Sequence, residues 1–519
     1  MERPMLNHFH NYEEICAYLR KAQEEHADVM TLTSLAKTEG GRDIWCVTLC
    51  KDGKPEDKPA FYVQGGIHAQ EGMGITCSLN FLYTVLEKNP EILDEQTVYI
   101  LPCVNPDGSD MCVRTGIEVR SKLEKVPGLE NAVVPQDLNG DGKILFMRWE
   151  DPNGYYVDLP ECGNMLVHRR AGDKGPFYSM ITEGIVENYN GGPLQRAMRN
   201  LDFNRQYGVG WADNPNGGDF PGNHIEPRTI MKFMSSHPNI YMIMDVHCGT
   251  RALIYATPGN IQDARLFRKL AMMCRDMTGI EPVPSPDYAR PAGYPASNLK
   301  GHIDDYTYEA LGIPAVTVEL GNGYNSLGMS SQEVFNADLY ERELISEIVK
   351  MHRAKGREIA QPWVKVQHPQ LGEIEVGGLD YHGAYFMDPD DMLVLLPKVA
   401  DYFVEASKMV PVLEFTNVTC EAMGGDVYRI RAGVINNGVL STRLVYGATG
   451  YHAQRDNVQF KVEGVSEILN EKKTFSVRAL EPLETASVEW FVRAQAGAEL
   501  TVKAVNPKSV NAVQNIIVP

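Results

Sequence analysis

The chain has 519 residues, more than one hydrophobic core normally holds, so at least two domains are expected. A hydrophobic content of 43% and a charged content of 23% are ordinary for a soluble globular protein, and no stretch reaches the length of a membrane span. The net charge of -19 argues against nucleic acid and anionic membrane surfaces as partners, because neither attracts an acidic protein. Met1 to Glu25 is polar and amphipathic, without the apolar core of a signal peptide. Ten cysteines are scattered along the chain, several inside apolar strands as at Cys46, Cys50 and Cys103, where reduced thiols act as small hydrophobes. A reducing, cytoplasmic location is expected on that basis, with an exported mature form left open.

In chain order, Tyr12 to Glu25 carries Ile15, Tyr18 and Leu19 at helical spacing. A strand pair follows, Met30 to Thr38 and Arg42 to Lys51, joined by the turn at Gly40-Gly41. Ala60 to Gly65 is a short apolar strand, Ile75 to Glu87 a helix, and Thr97 to Val104 a buried-type strand closed by a turn at Asn105-Pro106-Asp107-Gly108. Residues 109–203 form a long Gly-, Asp- and Arg-rich insertion with little periodicity, which must fold back on the rim or form part of a cleft. Asn239 to Asp245 and Ala315 to Glu319 are further strands. The expected fold is α/β with a largely buried mixed sheet over residues 1–365. A linker and one helix (366–409, the helix from Asp390 to Met409) lead to an all-β sandwich over 410–519.

The chemistry concentrates in four residues. His68 and Glu71 are three apart, so one helical turn can aim both at a shared ion, and Gly65-Gly66 lets the backbone turn sharply out of the preceding strand. His247 and Glu319 each fall at or just past a strand end, where ligands bind in open α/β sheets. Two imidazoles and one carboxylate suffice for one zinc ion and leave a coordination position open, which is the arrangement of a hydrolytic site. Glu319 is then a carboxylate able to activate water. Asp245, two before His247, can orient a ligand imidazole from behind.

Several strings in order carry a resemblance: Gly41-Arg-Asp-Ile44, His68-Ala-Gln-Glu71, Asn105-Pro-Asp-Gly108, Asp202-Phe-Asn-Arg205, His247, Ile303-Asp304 and Thr317-Val-Glu319. From about Tyr12 to Gly323 the chain resembles the zinc carboxypeptidases (the carboxypeptidase A-like M14 metallopeptidases). The tail around Val434 to Thr442 resembles the β-sandwich appended in a bacterial subgroup of them. The resemblance implies a mixed, mostly parallel eight-stranded sheet flanked by helices. It implies one zinc per chain held by His68, Glu71 and His247, with Glu319 as general base. Its oxyanion donor would be Arg120, with Arg114 as rival. Asn204 and Arg205 would grip the substrate's terminal carboxylate, Tyr294 (or Tyr288) would close over the substrate, and Ile303 would form the base of the side-chain pocket. The implied partner is a peptide with a free C-terminal carboxylate. An apolar or aromatic terminal residue is then expected, unless a one-residue shift to Asp304 makes the pocket acidic.

Two departures are evident: Gln70 stands where many relatives have an arginine, and the 109–203 insertion is much longer than in the digestive enzymes. Within that insertion Asp137-Leu-Asn139-Gly-Asp141-Gly142 opens like a calcium loop, but Arg148 stands where the closing glutamate belongs, so an Asx-rich turn is expected instead. Alternatives to a carboxypeptidase are a zinc amidase or deacylase on a cell-wall type peptide, and a non-catalytic peptide-binding module.

Overall fold

A computed structural model of the chain describes residues 1–214, 217–288 and 300–519. Its centre is an eight-stranded sheet: β1 (Met30–Lys37), β2 (Asp43–Leu49), β3 (Ala60–Gly65), β4 (Thr97–Leu101), β5 (Ile240–His247), β6 (Arg251–Tyr255), β7 (Pro282–Pro284) and β8 (Ala315–Leu320). The strands lie in the order β1-β2-β4-β3-β5-β8-β6-β7. The inner run β4-β3-β5-β8 is parallel, while β1, β2 and β6 pair antiparallel. Every residue of β3, β4, β5 and β8 is buried, which is why these segments read as continuous apolar runs rather than alternating ones. Helices α1 (Tyr12–Glu25) and α2 (Gly72–Lys88) pack beside the sheet, and α1 starts at a capping box between Asn11 and Glu14.

Two local expectations are corrected. Asn105-Pro106-Asp107-Gly108 is the start of a helix (Pro106–Thr115), not a chain-closing turn: the Asn105 side chain caps Gly108 N–H and Pro106 sits in the first turn. The helix stops at Gly116, which takes the left-handed conformation (φ 73°). The 366–379 stretch, expected as linker, is paired strand. Ala360–His368 and Gly372–Leu379 form a hairpin that joins Phe146–Glu150, Phe177–Thr182, Tyr156–Leu159 and Met165–His168 of the insertion in a six-stranded sheet. The insertion therefore satisfies its backbone groups in sheets instead of forming an open loop.

Pro389–Ser407 is a helix whose buried side packs on α2 and on Ile261–Thr278. The C-terminal segment forms two four-stranded antiparallel sheets around Trp490, Phe460 and Val502, the arrangement of a β-sandwich. Its loop at Val445-Tyr446 docks on the sheet domain, where the buried Asp263 carboxylate accepts from both backbone N–H groups (3.0 and 3.1 Å). Among the described residues no helix is long and apolar enough to cross a membrane.

Candidate metal centre and cleft

Parallel register brings the chemistry to one sheet edge. In β5 and β8, His247 lies directly opposite Glu319, and Gly65 of β3 pairs with Val246. The chain then leaves β3 through Gly66 (φ 72°), where a Cβ would strike the Ile75 side chain at 2.8 Å. That turn carries His68 and Glu71 over the end of β5, immediately before α2 begins at Gly72.

His68, Glu71 and His247 converge there, all buried, with one ligating atom of each within 4.8 Å of the others. The Nδ1 atoms of the two imidazoles are 3.0 Å apart, and Glu71 sets Oε1 2.8 Å from His68 Nδ1 and Oε2 2.9 Å from His247 Nδ1. The outer nitrogens face carboxylates: His68 Nε2 to Asp202 Oδ1 at 3.1 Å, His247 Nε2 to Asp245 Oδ2 at 2.7 Å. With its outer N–H donated in this way, a neutral imidazole turns a bare Nδ1 lone pair inward. Two imidazoles and a carboxylate this close need a positive charge among them, a proton on His247 or a metal ion, and the donor set is one that suits zinc. Burial opposes a charge on His247, but Asp245 and Glu71 outweigh it and raise its pKa well above the usual range. Burial would likewise raise the Glu71 carboxyl, yet the two imidazoles hold it well below the usual carboxylate range.

The orienting carboxylates are themselves anchored. Asp245 accepts from Gln64 Nε2 (2.8 Å), and Asp202 from Arg120 Nε (3.2 Å). Although burial works the other way, Arg205 and Arg120 keep Asp202 ionised. We expect Asp245→Asn to weaken zinc affinity roughly 10- to 100-fold, measured by competition with a chelator. An unchanged affinity would mean that Asp245 does not set the imidazole's tautomer.

Glu319 is 6% exposed and faces the same cavity as His68 and His247. Its Oε2 accepts from the backbone N–H of Gly249, and its Oε1 takes the Tyr288 hydroxyl at 3.0 Å. Burial first, and the charge of Glu71 second, raise its pKa above the usual glutamate value. Arg120 reaches Glu71 Oε1 with Nη1 (3.0 Å) and also lines the cavity, whereas its rival Arg114 is tied to Asp110 and Glu13 on the outer surface. Asn204 and Arg205 lie on a 3-10 turn (Phe203–Arg205) entering the cavity. The Asn204 Oδ1 accepts from Ile303 N–H (3.0 Å), and Arg205 Nη1 donates to the Asn204 carbonyl (2.6 Å).

Tyr294 lies outside the described residues, while Tyr288 lines the cavity and contacts Glu319. The structure places Ile303 and Asp304 differently. Ile303 is fully buried in an apolar cluster with Tyr62, Phe203 and Leu311, and the neighbouring Asp304 lines the cavity. Consecutive residues of the short helix Ile303–Asp305 point in different directions, so Ile303 faces the core and Asp304 the site. Asp304 Oδ2 accepts from Thr317 (2.7 Å), and its Oδ1 has no partner although fully buried. Burial, then Asp245, raise its pKa to about 7. In the Asp137–Gly142 loop both Asp137 oxygens accept the loop's own N–H groups (Gly140 at 2.7 Å, Gly142 at 2.8 Å), as an Asx-rich turn requires.

Two neighbours of the site escaped sequence reasoning. Asp202 opens the Asp-Phe-Asn-Arg string, but nothing local shows that it meets His68 and Arg120. Tyr385 comes from a segment packed between Phe9 and the Gly321–Gly323 turn beyond Glu319. Its hydroxyl pKa is driven up by burial and then by the charge of Glu71, with Glu319 contributing. No motif surrounds it in the sequence.

A family profile described as "Zinc carboxypeptidase" matches residues 15–336, more than half of the chain. A second profile, for a domain of unknown function, matches residues 412–517. Similar curated proteins include a zinc carboxypeptidase of Saccharothrix mutabilis subsp. capreolus, 28% identical over 115 residues (21% of this chain, 26% of that protein). Another is a carboxypeptidase B of Astacus astacus, 29% identical over 103 residues (19% and 33%). The alignments thus span about a quarter to a third of the length of these relatives. Among solved structures, carboxypeptidase A of Helicoverpa armigera aligns at 17% identity with a TM-score of 0.41, covering 66% of this chain and 71% of that one. On the profile match and the His-Glu-His cluster that lies within it, this chain belongs to the zinc carboxypeptidase family.

Proposed function

We propose that the protein is a zinc-dependent metallocarboxypeptidase that hydrolyses the last peptide bond of a peptide with a free C-terminal carboxylate and a basic terminal side chain. The observation that carries this reading is one cavity shared by the imidazoles of His68 and His247, the Glu319 carboxylate, the Arg205 guanidinium and the Asp304 carboxyl. Held by His68, Glu71 and His247, zinc supplies Lewis-acid polarisation of a carbonyl and acidifies a water. Glu319 takes the proton of the attacking water and returns it to the leaving amine, so no net proton is lost. Gly249 N–H and Tyr288 keep its carboxylate aimed. Arg120 donates to the oxygen on which negative charge develops. Arg205, with Asn204 beside it, offers a planar fork for the terminal carboxylate.

Asp304 supports the basic preference. A buried, unpartnered carboxyl oxygen is costly, and a substrate ammonium or guanidinium at that spot would relieve the cost and favour ionisation. An apolar terminal residue would leave it unpaired. Asp304→Asn is therefore expected to reduce kcat/KM for Lys- or Arg-terminated peptides by roughly 10²-fold while sparing Leu-terminated ones. Comparable losses for both classes would remove Asp304 from the specificity site.

Arg205→Ala separates this function from its closest alternative. It should weaken turnover of free-acid peptides by about 2–3 kcal/mol and leave C-terminal amides almost untouched. Equal effects on both would favour an amidase acting on a non-standard peptide. The C-terminal sandwich is read as an accessory domain of the kind found in a bacterial subgroup of the family, without chemistry of its own.

A further inference from the structure

Two clusters of three metal-ligating side chains occur among the described residues, and the second is unrelated to the cleft. His8 and His10 flank Phe9 on the segment leading into α1, and Glu14 follows in the first turn of that helix. One ligating atom from each lies within 4.8 Å of the others. His8 Nε2 is 3.0 Å from Glu14 Oε2, and the two imidazole rings stand edge to face with centroids 5.0 Å apart.

Backbone groups hold the His10 ring and the Glu14 carboxylate, and the His8 backbone is anchored. The Nε2 of His10 bonds the Met5 carbonyl at 3.1 Å; that bond places the ring proton on Nε2 and leaves Nδ1 a bare lone pair. His10 is 8% exposed, so the ring has little water to satisfy it. Glu14 is positioned by the capping box: its Oε2 accepts Asn11 N–H at 2.9 Å. His8 is fixed through its backbone, whose carbonyl accepts the Thr76 hydroxyl of α2 at 3.0 Å. A cavity bounded by Met5, His10, Glu14 and Tyr18 opens beside His10 and Glu14. A backbone carbonyl behind one imidazole and a backbone N–H behind the carboxylate are the outer contacts that orient metal ligands.

We propose that His8, His10 and Glu14 form a second site for a first-row divalent cation of the zinc class, separate from the His68-Glu71-His247 cluster. Two imidazoles and a carboxylate suit Zn2+ and Co2+, and the open face makes this a three-ligand site, not a closed structural one. Its position suggests what the ion does. Phe9, between the two histidines, packs on Gly72, where a Cβ would meet the Phe9 ring at 3.0 Å, and Gly72 directly follows Glu71. A cation bridging His8, His10 and Glu14 pins the N-terminal segment to α1 and against the start of α2. It therefore stabilises the fold beside the cleft without entering it.

The experiment titrates the chelator-stripped full-length protein with Co2+ and with Zn2+, following Co2+ absorption, bound metal per chain and thermal unfolding. Wild type is expected to take up two equivalents, the second 10- to 1000-fold more weakly, and to gain thermal stability from each. Glu14→Gln can still cap Asn11, and with His8→Ala it should bind one equivalent, lose the second stability increment and keep peptidase activity within twofold. Should His8→Ala disturb folding, Glu14→Gln alone still tests stoichiometry. A wild type that saturates at one equivalent overturns the proposal, as does a Glu14→Gln protein that still binds two with unchanged affinities. A failure of this site leaves the catalytic reading intact, because the His68-Glu71-His247 cluster is assayed independently by activity.

Discussion

Glu319→Gln should retain one tightly bound zinc and lose roughly 10³-fold in kcat/KM, the scale of removing a general base. The amide keeps the shape of the carboxylate and can still interact with Tyr288, but it cannot accept the proton of the attacking water. Metal content separates the outcomes: zinc retained with activity lost supports the assigned role, and zinc retained with full activity eliminates it. The same residue is expected to set the acid side of the pH profile. In the proposed mechanism only ionised Glu319 acts as base, and its pKa is raised by burial and then by Glu71, so activity should fall as pH drops through that raised value. The acid limb of kcat/KM is thus expected above the ordinary glutamate value of 4.5. A profile that stays flat below it would place the essential proton elsewhere.

Replacing Arg120 should cost the second largest amount. Arg120→Ala removes the guanidinium that reaches both Glu71 and Asp202, and we expect kcat to fall by about 10²- to 10³-fold, or about 3 kcal/mol. KM should change much less if, as proposed, the guanidinium acts where charge develops and not where the ground-state peptide binds. The effect has to be read beside zinc affinity, because Arg120 also braces Asp202 behind His68. A drop in affinity with normal kcat in saturating zinc would make Arg120 a support for the metal ligands alone. Arg120→Lys keeps the charge but loses the fork, and partial rescue is expected.

How much of this was legible in advance depends on how local each feature is. His68 and Glu71 share one turn, and the glycines ahead of them announce the bend, so their pairing can be read from spacing. His247 and Glu319 follow apolar runs that can only be buried strands, which places them at a sheet edge. Arg120 and the Asn204-Arg205 pair sit at opposite ends of an insertion with no periodicity. Their meeting depends on Arg120 N–H bonding Asn200 and on Ser121 N–H bonding the Leu201 carbonyl, pairings that no local pattern announces. Ile303 and Asp304 show the limit most sharply: they are adjacent in the chain, and only the packing puts Ile303 in the apolar cluster and Asp304 on the cavity.

By itself the sequence determined the α/β core, the β-rich tail and the identity of the ligand set, because periodicity, burial and ligand chemistry are written in residue type and short spacing. Tertiary structure alone decided that Asp202 stands behind His68, that Asp304 lines the cavity, and that residues 360–379 complete a sheet with the insertion. Those features arise from contacts between segments a hundred or more residues apart, whose mutual orientation is set by packing and strand register rather than by any pattern within one segment.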